Sequence, residues 1–582
     1  MRNMFSTRRG FLATAALPLV AAPERPRMRK LGTIDLDLVE TTPIVWKNCL
    51  YRCEWVRAGY WANLEHPPLL KLLAGASAGL AGARPPRLPE PFQYRTAETP
   101  QRFLYENAIP PERLLAASRL PFPLLFAALV LVAAAAAGRA AGALAGLGAA
   151  LLLAFEPTLV AHAGLLHTDV GAALGFLATV LAADAALRRP SWPRWGATGV
   201  LLGLSLSAKF TAVFLVPILL VLALVRMLFR RRSEGRLSAA PLAGVALAGA
   251  VALPVLLGVY AVSMRSMPAA EAERSVRLFL TGRLAAPATV ERVAGLSRLC
   301  PPAGHYVAGL VGIAEQNRRG GGINVLCGEL SVDGFPSYFP VAFAVKSSLG
   351  LLGALALAAS LLATRRVRAG WGALVVLLPP AYVFLSSVSS SYNIGVRHVL
   401  PAVPFLAVGA AVAIVRGLPR GAAAAALAAL GLLQAAETLA VHPHELSFFN
   451  RLAGGPAKGS LWLNDSNLDW GQDLVRLARE LERRGEADGV TVAYFGGAFP
   501  PHHLPGARLF DAASTPLTPG LYAVSAYLLA AGPELMALRG DAARAAGYDR
   551  LRRTLAARGE PVGRVGYSIL LYRIPGGEAA PP

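Results

Sequence analysis

The sequence predicts an all-α polytopic membrane protein of about eleven spans, with amphipathic outer-loop helices and a small C-terminal α/β extracytoplasmic domain. Of the 582 residues, 54% are hydrophobic and 16% are charged. This is a larger apolar fraction than a soluble fold of that size contains. The apolar residues gather in stretches that approach the roughly 20 residues a helix needs to cross a bilayer. Arginines occupy every second turn between these stretches, so the net charge of +22 is first a topology signal.

The predicted spans are an N-terminal segment and ten apolar stretches. The stretches are 122–137, 140–155, 170–187, 195–208, 211–229, 241–264, 339–362, 370–388, 399–415 and 421–441. The basic turns between them carry Arg139, Arg188, Arg189, Arg194, Arg230, Arg231, Arg232, Arg236, Arg365, Arg366, Arg368, Arg416 and Arg420. The positive-inside rule makes these turns cytoplasmic and places the turns around Asp169 and Lys209 outside.

The N-terminal segment has two interpretations. Arg8 and Arg9 before a short apolar run resemble a twin-arginine export signal. An uncleaved signal-anchor is favoured, because the first outer loop requires a cytoplasmic N-terminus. The predicted regions are residues 1–30 as signal-anchor or first span, 31–118 as first extracytoplasmic loop, 119–264 and 339–441 as the two parts of the bundle, 265–338 as large extracytoplasmic loop, and 442–582 as extracytoplasmic domain.

Short elements are predicted outside the membrane. Two amphipathic helices are predicted in the first loop, at 46–60 and 68–80. In the C-terminal region, 474–484 has the pattern of a polar helix, and 490–495, 521–524 and 567–572 have that of short strands.

Histidines and cysteines fall on one side of this topology. The nine histidines are His66, His162, His167, His305, His398, His442, His444, His502 and His503, all at the predicted outer face. Avoidance of the apolar core explains their place in loops, but not their absence from the cytoplasmic turns. Of the four cysteines, all predicted to be outside, Cys300 and Cys327 form a plausible disulfide, with two free thiols as the alternative.

Polar side chains at the outer ends of adjacent spans predict a site there. Glu156, His162, His167 and Asp169 form this group, and a carboxylate at such a position is costly unless it is paired, solvated or bound to a cation. Helix capping is the alternative role for Asp169. Lys209 occupies another outer turn and could hold a phosphate, or could simply reach the interface.

A series of motifs in fixed order carries a family resemblance. They are Asn-Leu-Glu-His-Pro-Pro-Leu-Leu-Lys at 63–71, Glu-Pro at 156–157 with His-Thr-Asp at 167–169, Ser-Ala-Lys-Phe at 207–210, Gly-Glu at 328–329 with Tyr-Phe-Pro at 338–340 and Lys346, Asn-Ile-Gly-Val-Arg-His-Val-Leu-Pro at 393–401, and the segments 442–450 and 465–474. Together they resemble bacterial members of glycosyltransferase family 39, which are relatives of protein O-mannosyltransferases and of the lipid A aminoarabinose transferase.

This resemblance implies a GT-C helical bundle that transfers a sugar from a polyprenyl-phosphate donor to a lipid, glycan or protein acceptor at the outer face of the bacterial inner (plasma) membrane. It implies that Lys209, Arg397 and Lys346 bind the donor phosphate. Glu65, His66, Glu156, His162, His167 and His398 are further residues of the active face. No nucleic acid is expected as partner and no cofactor is certain, while a divalent metal (Mg²⁺ or Mn²⁺) is left open.

One departure from the family pattern concerns the catalytic carboxylate. The family carries an Asp, usually as Asp-Glu, about twenty residues before the Glu-His-Pro-Pro motif, where this chain has Thr41-Thr42-Pro43-Ile44. The catalytic candidates are therefore Asp169 and the out-of-register Asp35, Asp37 and Glu40. The alternatives are a catalytically impaired family member or a transporter (flippase) of lipid-linked sugars; a membrane-anchored binding protein would not need Asp169, Lys209 and Arg397 at one face.

Overall fold

The computed structural model describes residues 64–84, 103–234, 238–265, 267–283, 285–320 and 322–576. The predicted segment 1–30 and helix 46–60 lie outside these residues. So do Asp35, Asp37, Glu40, Cys49 and Cys53.

The described part of the chain is mainly helical. Up to residue 320 the helices are α1 Leu69–Leu80, α2 Pro111–Arg119, α3 Pro121–Ala141, α4 Ala143–Ala154, α5 Pro157–Ala163, α6 Asp169–Arg188, α7 Trp192–Ala208, α8 Leu215–Glu234, α9 Ala240–Ser263, α10 Ala269–Gly282, α11 Pro287–Leu299 and α12 Pro301–Arg319. Those of the second half of the bundle are α13 Tyr338–Lys346, α14 Leu349–Ala363, α15 Trp371–Val388, α16 Val403–Gly417 and α17 Arg420–Val441. The C-terminal region adds α18 Leu474–Arg484, α19 Pro500–His503, α20 Ala526–Leu538 and α21 Ala542–Arg558.

The chain is a multi-pass membrane protein. Within the described residues, seven helical segments are long and apolar enough to cross a bilayer, or nine if each of two bent pairs is one span. The predicted total of about eleven is not reached there. One reason is that α7 is only 17 residues long.

Close helix contacts hold the bundle together. α16 lies at its centre, against α3, α4, α14 and α15. α7 meets α9 through Gly199 and Gly203, because a Cβ at either position would lie 2.6 Å from a backbone oxygen of α9. Such small residues four apart allow helix backbones to approach closely in a membrane.

Two helices break within the membrane region, and polar side chains satisfy the exposed backbone. The α4–α5 pair bends by 66° and the α13–α14 pair by 113°. At the first break Glu156 accepts a hydrogen bond from the N–H of Leu159 (2.7 Å). At the second, Glu437 accepts one from the N–H of Leu349 (2.6 Å). Backbone without a helical partner is tolerated at membrane depth only when it is satisfied in this way.

The loop 265–338 contains α10, α11 and α12, followed by the hairpin β1 Asn324–Leu326 and β2 Glu329–Ser331. Cys300 immediately precedes α12, and Cys327 lies in the hairpin turn with φ 52°. Both are free thiols, so the predicted disulfide is not formed. The reason is that Cys327 belongs to a turn whose backbone N–H donates to the carbonyl of Trp462 (2.8 Å), away from the helical loop.

The C-terminal α/β domain contains a five-stranded mixed sheet. Its strands are β3 Thr491–Ala493, β4 Arg508–Leu509, β5 Gly520–Ser525, β6 Glu560–Val565 and β7 Ile569–Ile574. The spatial order is β4-β3-β5-β7-β6, with β3 parallel to β4 and β5 and the other pairs antiparallel. A segment of short 3₁₀ turns, 445–467, connects the bundle to this domain. The predicted fold class is confirmed.

Candidate active site

A buried carboxylate lies at the N-terminal end of α6. Asp169 is the first residue of α6 and is 0% exposed. The Lys209 ammonium donates to its Oδ1, and His167 Nδ1 contacts its Oδ2. His162 Nε2 lies 3.9 Å from the same Oδ2. Because a buried charge needs a partner, Lys209 is the residue that makes this carboxylate tolerable.

Lys209 reaches Asp169 because the chain changes direction at this residue. α7 ends at Ala208, Lys209 is extended (φ −153°, ψ 142°), and a 3₁₀ helix, Phe210–Phe214, follows. The predicted outer turn is therefore a break between two helical segments. It places the ammonium group inside the bundle rather than at the membrane surface.

Arg397 is the second cation of the site. Its Nη1 donates to His167 Nε2 (3.2 Å), and its guanidinium lies 4.9 Å from the centre of the Trp470 ring. Its Nε is buried without a hydrogen-bond partner in the described chain. Among those same residues no carboxylate lies within ion-pair distance of Arg397. Its positive charge is therefore directly available to an anion.

His167 connects the two cations while remaining neutral. Burial lowers the pKa of His167 to about 4, and the charges of Arg397 and Lys209 act in the same direction, although Asp169 opposes them. Its Nε2 accepts from Arg397, so the proton belongs on Nδ1, facing Asp169. Burial also lowers the pKa of His66, whose ring lies 5.7 Å from that of His167.

Lys209 and Arg397 face a cavity of about 400 Å³. Its polar lining also includes Glu65, His66, His167, Arg283, Gln316, Asn317, Tyr392 and His398. Its apolar wall is formed by Phe210, Val213, Phe214, Phe279, Leu310, Ile313, Phe339 and Val383. At one side Arg283 pairs with Glu65 (2.5 Å) and donates to Gln316 (2.6 Å). A phosphate bearing a hydrocarbon chain matches this combination of cations and apolar surface.

Two predicted residues neither line this cavity nor contact the residues that do. Lys346, expected beside Lys209 and Arg397, instead donates to the backbone carbonyls of Leu446 (2.7 Å) and Asn467 (2.6 Å). It lies at the end of α13, where it faces the 3₁₀ segment. Glu156 is the N-cap of α5. Both side chains form hydrogen bonds with backbone groups, so they lie apart from the residues that could bind phosphate.

The remaining predicted residues surround the cavity. Glu65, His66, His167 and His398 line it. Asp169 and His162 lie behind this lining; His162 Nδ1 donates to the carbonyl of Thr158 (2.7 Å). Asp169 therefore organises Lys209 and His167 from a position behind the cavity wall.

Sequence reasoning missed Arg283 and the separate importance of Trp470. Arg283 is one of several arginines in the loop 265–338, and nothing in the sequence distinguishes it from the others. Trp470 belonged to a recognised motif, but its contact with Arg397 depends on the fold. No group of three or more His, Cys, Asp or Glu side chains in the described ranges is arranged to hold a metal ion.

A second cavity, of about 360 Å³, lies on another side of Trp470. It is bounded by α2, α5 and the C-terminal domain. Its polar lining includes Tyr105, Glu112, Arg119, His444, Glu445, Arg476, Tyr494 and His503. Trp470 thus touches Arg397 of the first cavity and lines the second.

A helical membrane bundle with a cavity lined by cations and apolar side chains can be compared with known protein families. The family described as dolichyl-phosphate-mannose-protein mannosyltransferase matches residues 113–257. The resemblance to relatives of the protein O-mannosyltransferases is thereby confirmed. No curated protein matches the chain.

Solved structures similar to this chain include three membrane transferases. ArnT from Cupriavidus metallidurans bound to undecaprenyl phosphate is 14% identical over 94% of this chain and 96% of that one, with a TM-score of 0.43. The oligosaccharyltransferase of Archaeoglobus fulgidus in its apo form is 12% identical over 87% and 69%, with a TM-score of 0.44. The Pmt1-Pmt2 protein O-mannosyltransferase complex of S. cerevisiae bound to the sugar donor is 18% identical over 40% and 32%, with a TM-score of 0.30.

Proposed function

We propose that this chain is a membrane glycosyltransferase that moves a sugar from a polyprenyl-phosphate donor to a lipid, glycan or protein acceptor at the extracytoplasmic face. The observation that carries the proposal is the pair of buried cations, Lys209 and Arg397, on a cavity with an otherwise largely apolar wall. Arg283 is a third cation on the same cavity. The family match over residues 113–257 supports the same reaction class.

The cations act on the leaving group. In the transfer, the acceptor oxygen bonds to the anomeric carbon while the bond from that carbon to the phosphate oxygen breaks. The polyprenyl phosphate leaves with the electron pair, and the acceptor proton passes to a base. Negative charge therefore grows on the phosphate. Lys209 and Arg397 stabilise this charge because their positive groups are already in position when it develops.

The base in this scheme is a carboxylate. Asp169 is unsuited to direct proton transfer because it is completely buried and contacts Lys209 and His167. Glu65 lines the cavity with Arg283 and is the structural candidate. Asp35, Asp37 and Glu40 remain the sequence candidates, and single substitutions compare the four.

The acceptor is placed in the second cavity. Its lining combines aromatic rings with hydroxyl, amide, acidic and basic side chains, which suits a hydroxyl-bearing molecule with several polar groups. Trp470 lines this cavity and contacts Arg397 of the first, so its ring lies between the proposed acceptor and donor sites.

Transfer by purified protein in liposomes, with a panel of polyprenyl-phosphate sugars, tests the proposal. The expected result is label transfer from one of these donors, lost in Arg397→Ala and retained in Arg368→Ala, an exposed arginine of a predicted cytoplasmic turn. Folded protein that transfers no sugar from any donor would indicate the impaired family member instead. Translocation of the donor without transfer would indicate a transporter.

The orientation is tested separately. Alkaline phosphatase fused after Leu474 should be active, because the C-terminal domain is proposed to be extracytoplasmic. A cytoplasmic reporter should be inactive at the same position. The reverse pair of results would place the site on the cytoplasmic face.

A further inference from the structure

We infer that Asn467 is a positioning residue that holds Arg397 in place for the donor phosphate. This inference rests on the proposed function, since it concerns the residue assigned to the phosphate. Asn467 is 0% exposed and lies in the Asp465–Asn467 3₁₀ turn. Its own side chain does not line the cavity.

Asn467 connects three elements through its polar atoms. Its Oδ1 accepts from the N–H of Val396 (2.9 Å), the residue immediately before Arg397. Its Nδ2 donates to the hydroxyl of Tyr338 (2.8 Å) at the start of α13 and to the carbonyl of Asn464 (3.0 Å). The amide is therefore fully engaged, and its orientation is fixed from both sides.

The turn also fits closely against the chain that leads to Arg397. The hydroxyl of Ser466 donates to the carbonyl of Ile394. A Cβ at Gly395 would lie 2.2 Å from Ser466 Oγ, so this approach requires glycine. Two consecutive residues of the turn thus contact the backbone just before Arg397.

The same segment supplies the surface on which Arg397 rests. Trp470 follows Asn467 by three residues and lies under the guanidinium of Arg397 at 4.9 Å. Arg397 has no carboxylate to hold it among the described residues. The position of Arg397 is therefore set by its backbone, by His167 and by Trp470. The turn contacts the backbone just before Arg397, and Trp470 follows the turn closely in the chain.

A small displacement of Arg397 weakens a phosphate contact strongly, because charge-assisted hydrogen bonds depend on distance and direction. Loss of the Asn467 amide should therefore appear as weaker phosphate recognition, although Asn467 never touches the phosphate. A residue that only supported the fold would weaken recognition of the hydrocarbon chain to the same degree.

The test compares two probes, undecaprenyl phosphate and undecaprenol, bound to the purified full-length protein in nanodiscs. The readout is the ratio of their dissociation constants, which isolates the phosphate. Arg397→Ala should lower the preference for phosphate by about ten- to hundredfold. Asn467→Ala should lower it by about two- to tenfold, the range of one neutral hydrogen bond.

A double-mutant cycle shows whether Asn467 acts through Arg397. Adding Asn467→Ala to Arg397→Ala should cause no further loss of phosphate preference. Asn450→Ala is the matched control, because Asn450 is equally buried and donates to the carbonyls of Ala344 and Ser347, with no bond to the backbone before Arg397. It should leave the ratio unchanged in both backgrounds.

The outcomes separate the two claims. If Arg397→Ala leaves the phosphate preference intact, the proposed phosphate site fails. If Arg397→Ala lowers the phosphate preference, the phosphate site stands. The positioning role alone then fails if Asn467→Ala has the same effect with and without Arg397, or if it weakens the binding of both probes equally. If Asn467→Ala yields too little folded protein, Tyr338→Phe enters the same cycle; it removes one anchor of the amide and should give a smaller loss that also vanishes without Arg397.

Discussion

Arg397 and Lys346 are both buried cations of the bundle, yet their charged groups have different surroundings. Arg397 contacts a neutral histidine and an aromatic ring, and it lines a cavity. Lys346 donates to two backbone carbonyls and lines none of the described cavities. Burial and charge alone therefore do not identify a ligand-binding cation. Arg397 differs in that it lines a cavity and that its Nε has no hydrogen-bond partner among the described residues.

The largest expected effect follows from Arg397. Arg397→Ala should lower sugar transfer by about 10² or more, because one charge-stabilising donor is lost from a site that excludes water. Arg397→Lys should recover only part of this loss, since an ammonium cannot reproduce the planar contact with Trp470. Initial rates in proteoliposomes, normalised to folded protein, measure both. Full activity of Arg397→Ala would contradict the proposal that Arg397, unlike Lys346, binds the donor phosphate.

Lys346 should affect the fold rather than the chemistry. Lys346→Met leaves the carbonyls of Leu446 and Asn467 without their donor, at about 1–3 kcal/mol for each buried group. Thermal unfolding in detergent should shift to lower temperature, while turnover per folded molecule stays within about threefold of the wild type. A loss of turnover as large as that of Arg397→Ala, at normal stability, would return Lys346 to the active site.

The protonation state of Asp465 affects the electrostatics around Arg397. Burial raises the pKa of Asp465 to about 8, so its carboxyl is largely neutral at pH 7 despite the nearby guanidinium. The folded protein then holds a proton that the unfolded chain releases near pH 4, so stability should fall as the pH rises from about 4 to about 8. Asp465→Asn should remove this decline. Unfolding temperatures of both proteins across that range provide the measurement, and parallel profiles would contradict it.

The smallest effect is expected away from both cations. Cys300 and Cys327 are free, so Cys300→Ser with Cys327→Ser should change the free energy of unfolding by less than about 0.5 kcal/mol. Both thiols should also react with an alkylating reagent in unreduced membranes. Resistance of both thiols to alkylation until a reductant is added, together with a large loss of stability in the double variant, would show that the loop is bridged after all.

The sequence predicted the fold class because its signals are local. Apolar length and alternating arginines require only neighbouring residues, and the amphipathic period of 474–484 matches α18 at both ends. The predicted continuous span 339–362 misses the bend at Ser348, and the predicted turn after 140–155 misses the short helix α5. A bend within an apolar stretch leaves little trace in composition. β4 has only two residues, too few for any periodicity to show.

The site was predicted in part for the same reason. Lys209, Asp169, His167 and Arg397 belong to motifs, and the fold brings them together. Lys346 belongs to a motif as well, but the direction of its side chain depends on a segment 100 residues away. Arg283, at the C-terminal end of α10, reaches the cavity through the packing of α10 against α12. Contacts between segments that are distant in sequence decide which charged residues face a ligand. Local sequence patterns do not predict these contacts.

The most direct test of the central claim is the affinity of the purified protein for undecaprenyl phosphate in Arg397→Ala and Lys346→Met, each compared with the wild type at equal folded fraction. We expect Arg397→Ala to bind at least about tenfold more weakly and Lys346→Met to remain within about threefold. Equal losses in the two variants, or unchanged binding by Arg397→Ala, would contradict the assignment of the phosphate to the cavity that Arg397 lines.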